Sequence, residues 1–210
     1  MALRTWSTNK TQLHLMEKMD FHCETRLKND RGEGIDTLYF VKEITGKAIR
    51  AYGYTIGNGK CGIRNTITDV PGVKVGHYTV RKGKNQTGVT VIIPCDGFVY
   101  ERKPLAAVYA LNGFGKTQGT VQIEELGVLE TPIALTNTLN VGKAADGLVT
   151  FTEKECRKNG KELVSVNPVV GETNDSRINQ ITERVIEAED VLFAIEHAEK
   201  NFKQGLSLIH

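Results

Sequence analysis

Short runs of apolar and β-branched residues, separated by glycine-containing turns, begin at about residue 47 and predict a series of strands. VKVGHYTV (73–80) alternates apolar and polar residues, and TGVTVIIP (87–94) is rich in β-branched residues. Further apolar runs that end in turn-prone residues are AAVYALNG, PIALTNT and ELVSVNPVVG. Pro168 in the last run indicates a strand end or a sheet edge, because proline donates no ladder hydrogen bond.

Two stretches have the spacing of amphipathic helices. In the first, Asn140 is a candidate N-cap and Gly160 ends the helix after a basic last turn. In the second, an apolar stripe runs through residues 188–202, with acidic residues in its first turn and Lys200 and Lys203 in its last. Short strands with two helices to cover them indicate a layered α/β domain.

Residues 1–46 have no clean period of two, and we predict that they form a weakly ordered extension. Within them, Leu13, Met16 and Met19 lie on one side of a helix from about residue 10 to residue 19.

Composition excludes several classes of protein. The 210 residues are 40% hydrophobic and 25% charged, which is typical of a globular domain. The net charge of +2 comes from 27 basic and 25 acidic residues that are well mixed, so we expect neither nucleic acid nor an anionic membrane as a partner. We find no membrane-spanning run and no signal peptide, and the four widely spaced cysteines indicate reduced thiols. These features predict a cytoplasmic protein with no metal site.

The first candidate groups lie in a turn and in the strand after it. Asp69, Pro71 and Gly72 predict a tight reversal into that strand. His77 is a candidate base or ligand, but a histidine with no ligand-type residue at metal-binding spacing is more often structural.

A glycine-rich loop occupies residues 111–125. Ala110 stands where a P-loop needs glycine, and the loop also lacks the dinucleotide-binding spacing. The loop is either a place where a ligand or another backbone approaches closely or an ordinary connection. Glu124 and Glu125, interpreted as part of a strand, would point to opposite faces and form no carboxylate pair.

Two polar clusters follow predicted strands. Thr136, Asn137, Thr138 and Asn140 lie between a strand and a helix N-terminus, where they would either bind an anion or cap the helix. The second cluster forms either a binding site or a surface turn. It contains Glu172, Asn174, Asp175, Arg177 and Asn179. The residues by themselves assign no nucleophile.

Four segments, in this order, resemble the DmpA-type aminopeptidases, which are self-processing N-terminal-nucleophile hydrolases that include β-peptidyl aminopeptidases. The similar region covers about residues 47–205. The segments are AIRAYGYTIGNGKCGIRNTITDVPGVKVGHYTV, TGVTVIIP with YALNGFGKTQGTVQIEELGVLETPIALTNTLNVG, VNPVVGETNDSRINQI, and EAEDVLFAIEHAEK.

The resemblance implies an α/β fold, namely an incomplete four-layer αββα sandwich of the DmpA and ornithine acetyltransferase type. It implies removal of N-terminal residues from small peptides or amides through an acyl-enzyme on a serine that self-cleavage exposes, with no metal or cofactor. A free α-amine beside that serine would act as its base. Two alternatives remain: an acyltransferase of the ornithine acetyltransferase type, and a non-catalytic remnant or subunit.

The chain departs from the family pattern after the last helix. The family continues into further strands and the nucleophilic serine, whereas NFKQGLSLIH follows here, and Ser207 does not fit that role. We therefore assign no catalytic residue. We expect 47–205 to be the N-terminal, α-chain-like part of the domain, 206–210 to be an aberrant tail, and the truncated chain to be inactive alone.

The resemblance also implies the substrate contacts and partners. Glu172 and Asn174 in GETND, with Asn112 in LNG, would contact a small peptide or amide, and Arg177 stands where the family often has an aromatic residue. A C-terminal chain of the same fold would complete the domain, and the complete protein would form a homo-oligomer. Without that chain, we expect exposed apolar surface and poor solubility.

Overall fold

The computed structural model describes residues 2–18, 21–41, 53, 57–110 and 114–202. The chain divides into two compact units, Met1–Gly57 and Asn58–His210.

Within its described ranges, the first unit contains a three-stranded antiparallel sheet and one helix. Its strands are β1 (Ala2–Trp6), β2 (His22–Leu27) and β3 (Thr37–Val41), in the order β1-β3-β2. The predicted helix is present as α1 (Lys10–Lys18). The small core of this unit consists of Met16, Phe21, Leu38 and Phe40.

The sequence pattern did not reveal these strands, because all six residues of β2 are exposed and carry no apolar alternation. The predicted end of the extension, residue 46, lies outside the described residues.

The second unit is built on a four-stranded sheet in the order β4-β5-β6-β7. The strands β4 (Lys74–Lys82), β5 (Asn85–Ile93) and β6 (Ile133–Asn137) are antiparallel neighbours, while β7 (Val169–Thr173) runs parallel to β6. Strands β4, β5 and β6 confirm three predicted strands. Of the predicted run at 162–171, only residues 169–171 belong to β7, because the residues before Pro168 form no strand.

The apolar run at 106–110 does not form a strand, so that part of the prediction was wrong. Its neighbour Leu105 makes only an isolated bridge to Val128, and Tyr109 is 85% exposed. An apolar run forms a strand only where a partner strand satisfies its backbone groups. The rest of that run, residues 111–113, lies outside the described residues.

Four helices accompany the sheet in the described part of this unit. They are α2 (Val99–Arg102), α3 (Thr120–Leu126), α4 (Val141–Lys158) and α5 (Ala188–Glu196), with short 3₁₀ turns at Ile67–Asp69, Thr138–Asn140 and Ile181–Glu183. The longest helix, α4, confirms the first predicted helix, and Gly160 follows it with φ +65°.

The second predicted helix ends earlier than its apolar stripe suggested. Helix α5 stops at Glu196, and the chain turns so that Glu199 and Val75 exchange backbone hydrogen bonds of 3.1 Å each. Pairing with the free edge of β4 therefore replaces the helical continuation at 197–202. Lys203 lies outside the described residues.

Helices α4 and α5 cover one face of the sheet. The apolar core between them and the sheet includes Val89, Val91, Ala134, Leu148, Val170, Ile186 and Val191. Val169 precedes Val170 in β7, so its side chain points to the opposite face of the sheet. There it packs with Val99, Ile123 and Leu129. The layered α/β class is confirmed, and the described residues supply one α layer and one β layer of the αββα order.

Candidate functional site

The carboxyl ends of β6 and β7 lie at the same edge of the sheet because the two strands are parallel. Open α/β sheets bind ligands at such an edge. Asn137 ends β6, Glu172 lies one residue before the end of β7, and the antiparallel strand β5 begins here with Asn85. The fold therefore brings both predicted polar clusters together.

Glu172 lies at this edge on β7, and both of its carboxylate oxygens accept hydrogen bonds. Oε1 accepts from the Lys116 backbone N–H at 3.1 Å. Oε2 accepts a short bond from the Thr138 hydroxyl. The side chain is thereby held between the glycine-rich loop and the entrance to α4, and it remains half-buried.

The glycine-rich loop is fixed against β7. Gln118 and Val170 exchange backbone hydrogen bonds of 2.9 and 3.1 Å. Gly119 has φ +83°, and a β-carbon there would stand 2.4 Å from the Pro168 carbonyl oxygen. The close approach that the glycines predicted is therefore made by another backbone segment.

A buried hydrogen-bonded group lies beside Glu172. Asp175 is 3% exposed and accepts from the Thr87 hydroxyl at 2.6 Å and from the Asn179 amide at 3.1 Å. Thr87 in turn accepts from the Asn137 amide at 2.9 Å. Burial raises the pKa of Asp175, and the bonds from Thr87 and Asn179 oppose that rise.

Asn137 caps the 3₁₀ turn Thr138–Asn140, which leads into α4. The Asn137 Oδ1 atom accepts from the Leu139 N–H at 3.2 Å, which supports the capping interpretation of this cluster. Asn140 occupies the N-cap position as predicted, but its side chain makes no capping bond. It is fully buried, and neither of its side-chain polar atoms is hydrogen-bonded within the described part of the chain.

The other predicted substrate contacts stay predictions. Asn174 is exposed, and its Oδ1 accepts from the Ser176 N–H at 3.1 Å in a local turn. Asn112 lies outside the described residues. The sequence singled out Glu172 but did not predict the hydrogen bonds of Thr87 to Asp175 and Asn137, because these partners are distant in the chain.

Other groups from the sequence have ordinary roles. His77 Nδ1 lies 2.8 Å from the Thr90 hydroxyl, and its ring packs on Phe202 at 5.8 Å, which are the contacts of a structural histidine. The strand assumed for Glu124 and Glu125 was wrong: both are exposed residues of α3.

All four cysteines are free. Across the described ranges, no three His, Cys, Asp or Glu side chains are grouped to hold a metal ion. Nor does that part of the chain contain a helix long and apolar enough to cross a bilayer.

The comparisons with known proteins agree with the geometry. Residues 65–207 match peptidase family S58. The β-peptidyl aminopeptidase BapA of Sphingosinicella microcystinivorans is 35% identical over 150 residues, which is 67% of this chain and 36% of BapA.

Solved structures show the same similarity. The PH0078 protein from Pyrococcus horikoshii OT3 superposes with a TM-score of 0.69 and 45% identity, over 74% of this chain and 47% of that protein. The L-aminopeptidase D-Ala-esterase/amidase from Ochrobactrum anthropi, a prototype of the serine aminopeptidases with a variant Ntn hydrolase fold, superposes with a TM-score of 0.65 and 30% identity. That match covers 74% of this chain and 46% of the enzyme. The chain thus spans about a third of the matched curated relative and less than half of these structures.

Proposed function

The chain belongs to peptidase family S58, and we propose that it supplies the amine-binding part of an aminopeptidase that acts on small peptides or amides. The observation that carries this proposal is the fixed carboxylate of Glu172. Its oxygens are oriented by Lys116 and Thr138 and lie at the sheet edge where ligands bind. A carboxylate held in this way pairs well with the ammonium group at the free end of a substrate.

In the proposed reaction, a serine hydroxyl attacks the carbonyl of the first residue and displaces the rest of the substrate as an amine. Water then hydrolyses the resulting ester and releases the acid. We assign no nucleophile among the described residues, so the serine would come from a complementary part of the domain. The mechanism needs no metal, because the charge that develops on oxygen is stabilised by hydrogen-bond donors.

The proposed partner is a C-terminal segment of the same family that packs on this unit. The segment that connects β5 to β6 in the sequence exposes several large apolar side chains. Such exposure is typical of an interface whose partner is absent. The exposed residues are Leu105, Tyr109, Phe114, Val121 and Leu126. The relatives named above are more than twice as long as the matched region, so they contain sequence that would cover it. We retain the cytoplasm as the proposed location, which the four free cysteines support.

A binding experiment tests the role of Glu172. L-alaninamide has a free amine, and N-acetyl-L-alaninamide is the same compound with the amine blocked. We expect NMR titration of the chain to show saturable binding of the first compound only. Glu172→Gln should weaken that binding at least about tenfold, because a neutral amide loses the ion pair. Glu125→Gln, an exposed control on α3, should not change it. Equal binding of both compounds, or unchanged binding by Glu172→Gln, would contradict the proposal.

A second experiment tests catalysis. The chain would be co-expressed with the C-terminal part of an S58 relative, and the purified complex would be assayed for release of p-nitroaniline from L-alanine p-nitroanilide. Activity that requires both parts and is lost in Glu172→Gln supports the proposal. A stable complex with no hydrolysis of this substrate would instead favour the non-catalytic alternative.

A further inference from the structure

We propose that Thr87 is a positioning residue for Glu172: its single buried hydroxyl ties together the segment that carries the Thr138 donor and the segment that follows Glu172 in the chain. The inference rests on the proposed role of Glu172 as the anchor for an ammonium group. Thr87 lies in β5 and is 1% exposed, and its side-chain hydrogen bonds go to Asp175 and Asn137. It therefore acts through other residues.

The direction of each hydrogen bond is fixed by chemistry. The Asn137 Nδ2 atom can only donate, so the Thr87 oxygen accepts at 2.9 Å. Thr87 has one hydroxyl proton, which it donates to the Asp175 carboxylate at 2.6 Å. The result is a directed chain from Asn137 through Thr87 to Asp175. Its members are buried, which strengthens each bond and makes an unpaired group costly.

At one end of this series of hydrogen bonds, Asn137 controls the position of the Thr138 hydroxyl that binds Glu172. The Asn137 Oδ1 atom accepts from the Leu139 N–H at 3.2 Å and so closes a turn around Thr138. Thr138, between these two residues, donates its hydroxyl proton to the Glu172 carboxylate. Holding Asn137 through Thr87 therefore fixes the donor on one side of Glu172.

At the other end, Asp175 controls the position of the loop that follows Glu172. Asp175 follows Glu172 by three residues, and its backbone carbonyl accepts from the Ile178 and Asn179 N–H groups at 2.9 and 3.0 Å. The Asn179 side chain also donates to both Asp175 carboxylate oxygens at 3.1 Å. The loop after β7 is therefore a closed turn that Thr87 ties to β5.

Two variants isolate the hydroxyl. Thr87→Val has nearly the same shape but leaves Asp175 without this donor and Asn137 without this acceptor. Thr87→Ser keeps the hydroxyl and loses only a methyl group. A role in packing alone would make serine the more damaging change, whereas a positioning role makes valine the more damaging one.

Amide hydrogen exchange of the 210-residue chain provides a test that needs no ligand. In Thr87→Val we expect exchange of both the Leu139 and the Ile178 amides to accelerate by about tenfold, while Val191 in α5 stays near its wild-type rate. Thr87→Ser should restore both sites. Acceleration at Ile178 without Leu139, or at neither amide, would overturn the inference. Should Thr87→Val fail to fold, Asp175→Asn, which weakens the same bond, must accelerate both amides in the same direction.

The alaninamide titration separates this inference from the proposed function. We expect Thr87→Val to bind about tenfold more weakly and Thr87→Ser to bind like the wild type. If Glu172→Gln abolishes binding while Thr87→Val keeps full affinity, the positioning role is wrong and the proposed function stands. If the wild-type chain does not bind alaninamide, the proposed role of Glu172 is wrong, and the exchange experiment alone decides whether Thr87 couples the two segments.

Discussion

Gly76 in β4 and Ala194 in α5 are in such close contact that a β-carbon on Gly76 would stand 1.8 Å from the Ala194 carbonyl oxygen. The helix therefore lies directly on the strand at this point, and only glycine allows it. This contact sets the position of α5 over β4 and of the segment after it, which pairs with Val75.

Gly76→Ala should consequently destabilise the protein by at least about 1–3 kcal/mol, because the backbone of α5 has to move. Urea unfolding followed by circular dichroism measures the change. Gly59→Ala is the matched control: Gly59 has open space around it, so its substitution should change the free energy of unfolding little. Similar stabilities for the two variants would show that α5 is not held this closely.

Two glycines within α4 should respond in opposite directions. A β-carbon at Gly147 would lie 2.8 Å from the Val191 β-carbon and 2.9 Å from the Ala188 carbonyl oxygen, whereas Gly142 has nothing within 4 Å. We expect Gly147→Ala to destabilise by about 1–3 kcal/mol. Gly142→Ala should stabilise by up to about 1 kcal/mol through helix propensity. Thermal unfolding of both variants is the measurement, and stabilisation by Gly147→Ala would refute the close packing of α4 on α5.

Glu130 should make stability depend on pH. Burial opposes its ionisation, but hydrogen bonds from Asn167, and then from Lys103, outweigh burial and hold the pKa of Glu130 below its ordinary value of 4.5. A lowered pKa adds stability that is fully present above about pH 4.5 and is lost as the pH falls through the folded-state pKa.

Glu130→Gln should therefore lower the free energy of unfolding at pH 7 by about 1–3 kcal/mol, and the difference from the wild type should shrink below pH 4.5. Urea unfolding at pH 7 and at pH 3.5 measures both quantities. Glu162→Gln, at an exposed position, is the control. A difference that stays constant with pH would contradict this assignment.

Asp175 should show the opposite dependence. Burial raises its pKa above the ordinary 3.8, so the folded state holds the proton more tightly than the unfolded state does. Its contribution to stability is fully present below about pH 3.8 and is lost as the pH rises through the folded-state pKa.

The neutral variant Asp175→Asn does not undergo this loss. As the pH rises from 3.8, the free energy of unfolding of the variant should therefore increase relative to that of the wild type. The measurement is the difference in unfolding free energy between this variant and the wild type across that range. A shift in favour of the wild type with rising pH would mean that hydrogen bonding outweighs burial.

The exposed apolar residues in the segment that connects β5 to β6 should cause the isolated chain to self-associate. Leu105 is 90% exposed and Leu126 is 64% exposed, so replacing both with glutamine removes apolar surface without opening the core. Light scattering should show less association for this double variant and an unchanged circular dichroism spectrum. Leu148→Gln, in the fully buried core, should unfold the chain instead. Equal association of the double variant and the wild type would show that the chain self-associates through a different surface.

Several local elements of the second unit could be predicted from the sequence. Alternation predicted β4, β-branched residues predicted β5, and Gly160 marked the end of α4. The sequence also identified the two polar clusters at strand ends, since turn and capping chemistry depends on residues that are close in the chain. The exposed strand β2 and the early end of α5 were not predicted, because both depend on pairing with distant backbone.

Only the tertiary structure decided which polar residues act together. Thr87 and Asp175 are 88 positions apart, and Thr87 and Asn137 are 50 apart, yet they share hydrogen bonds. Likewise, the partners of Glu172 come from residues 116 and 138. These contacts follow from the strand order β4-β5-β6-β7 and from the parallel pairing of β6 with β7. No local pattern encodes that order, because it is set by which sheet arrangement buries the apolar faces of α4 and α5.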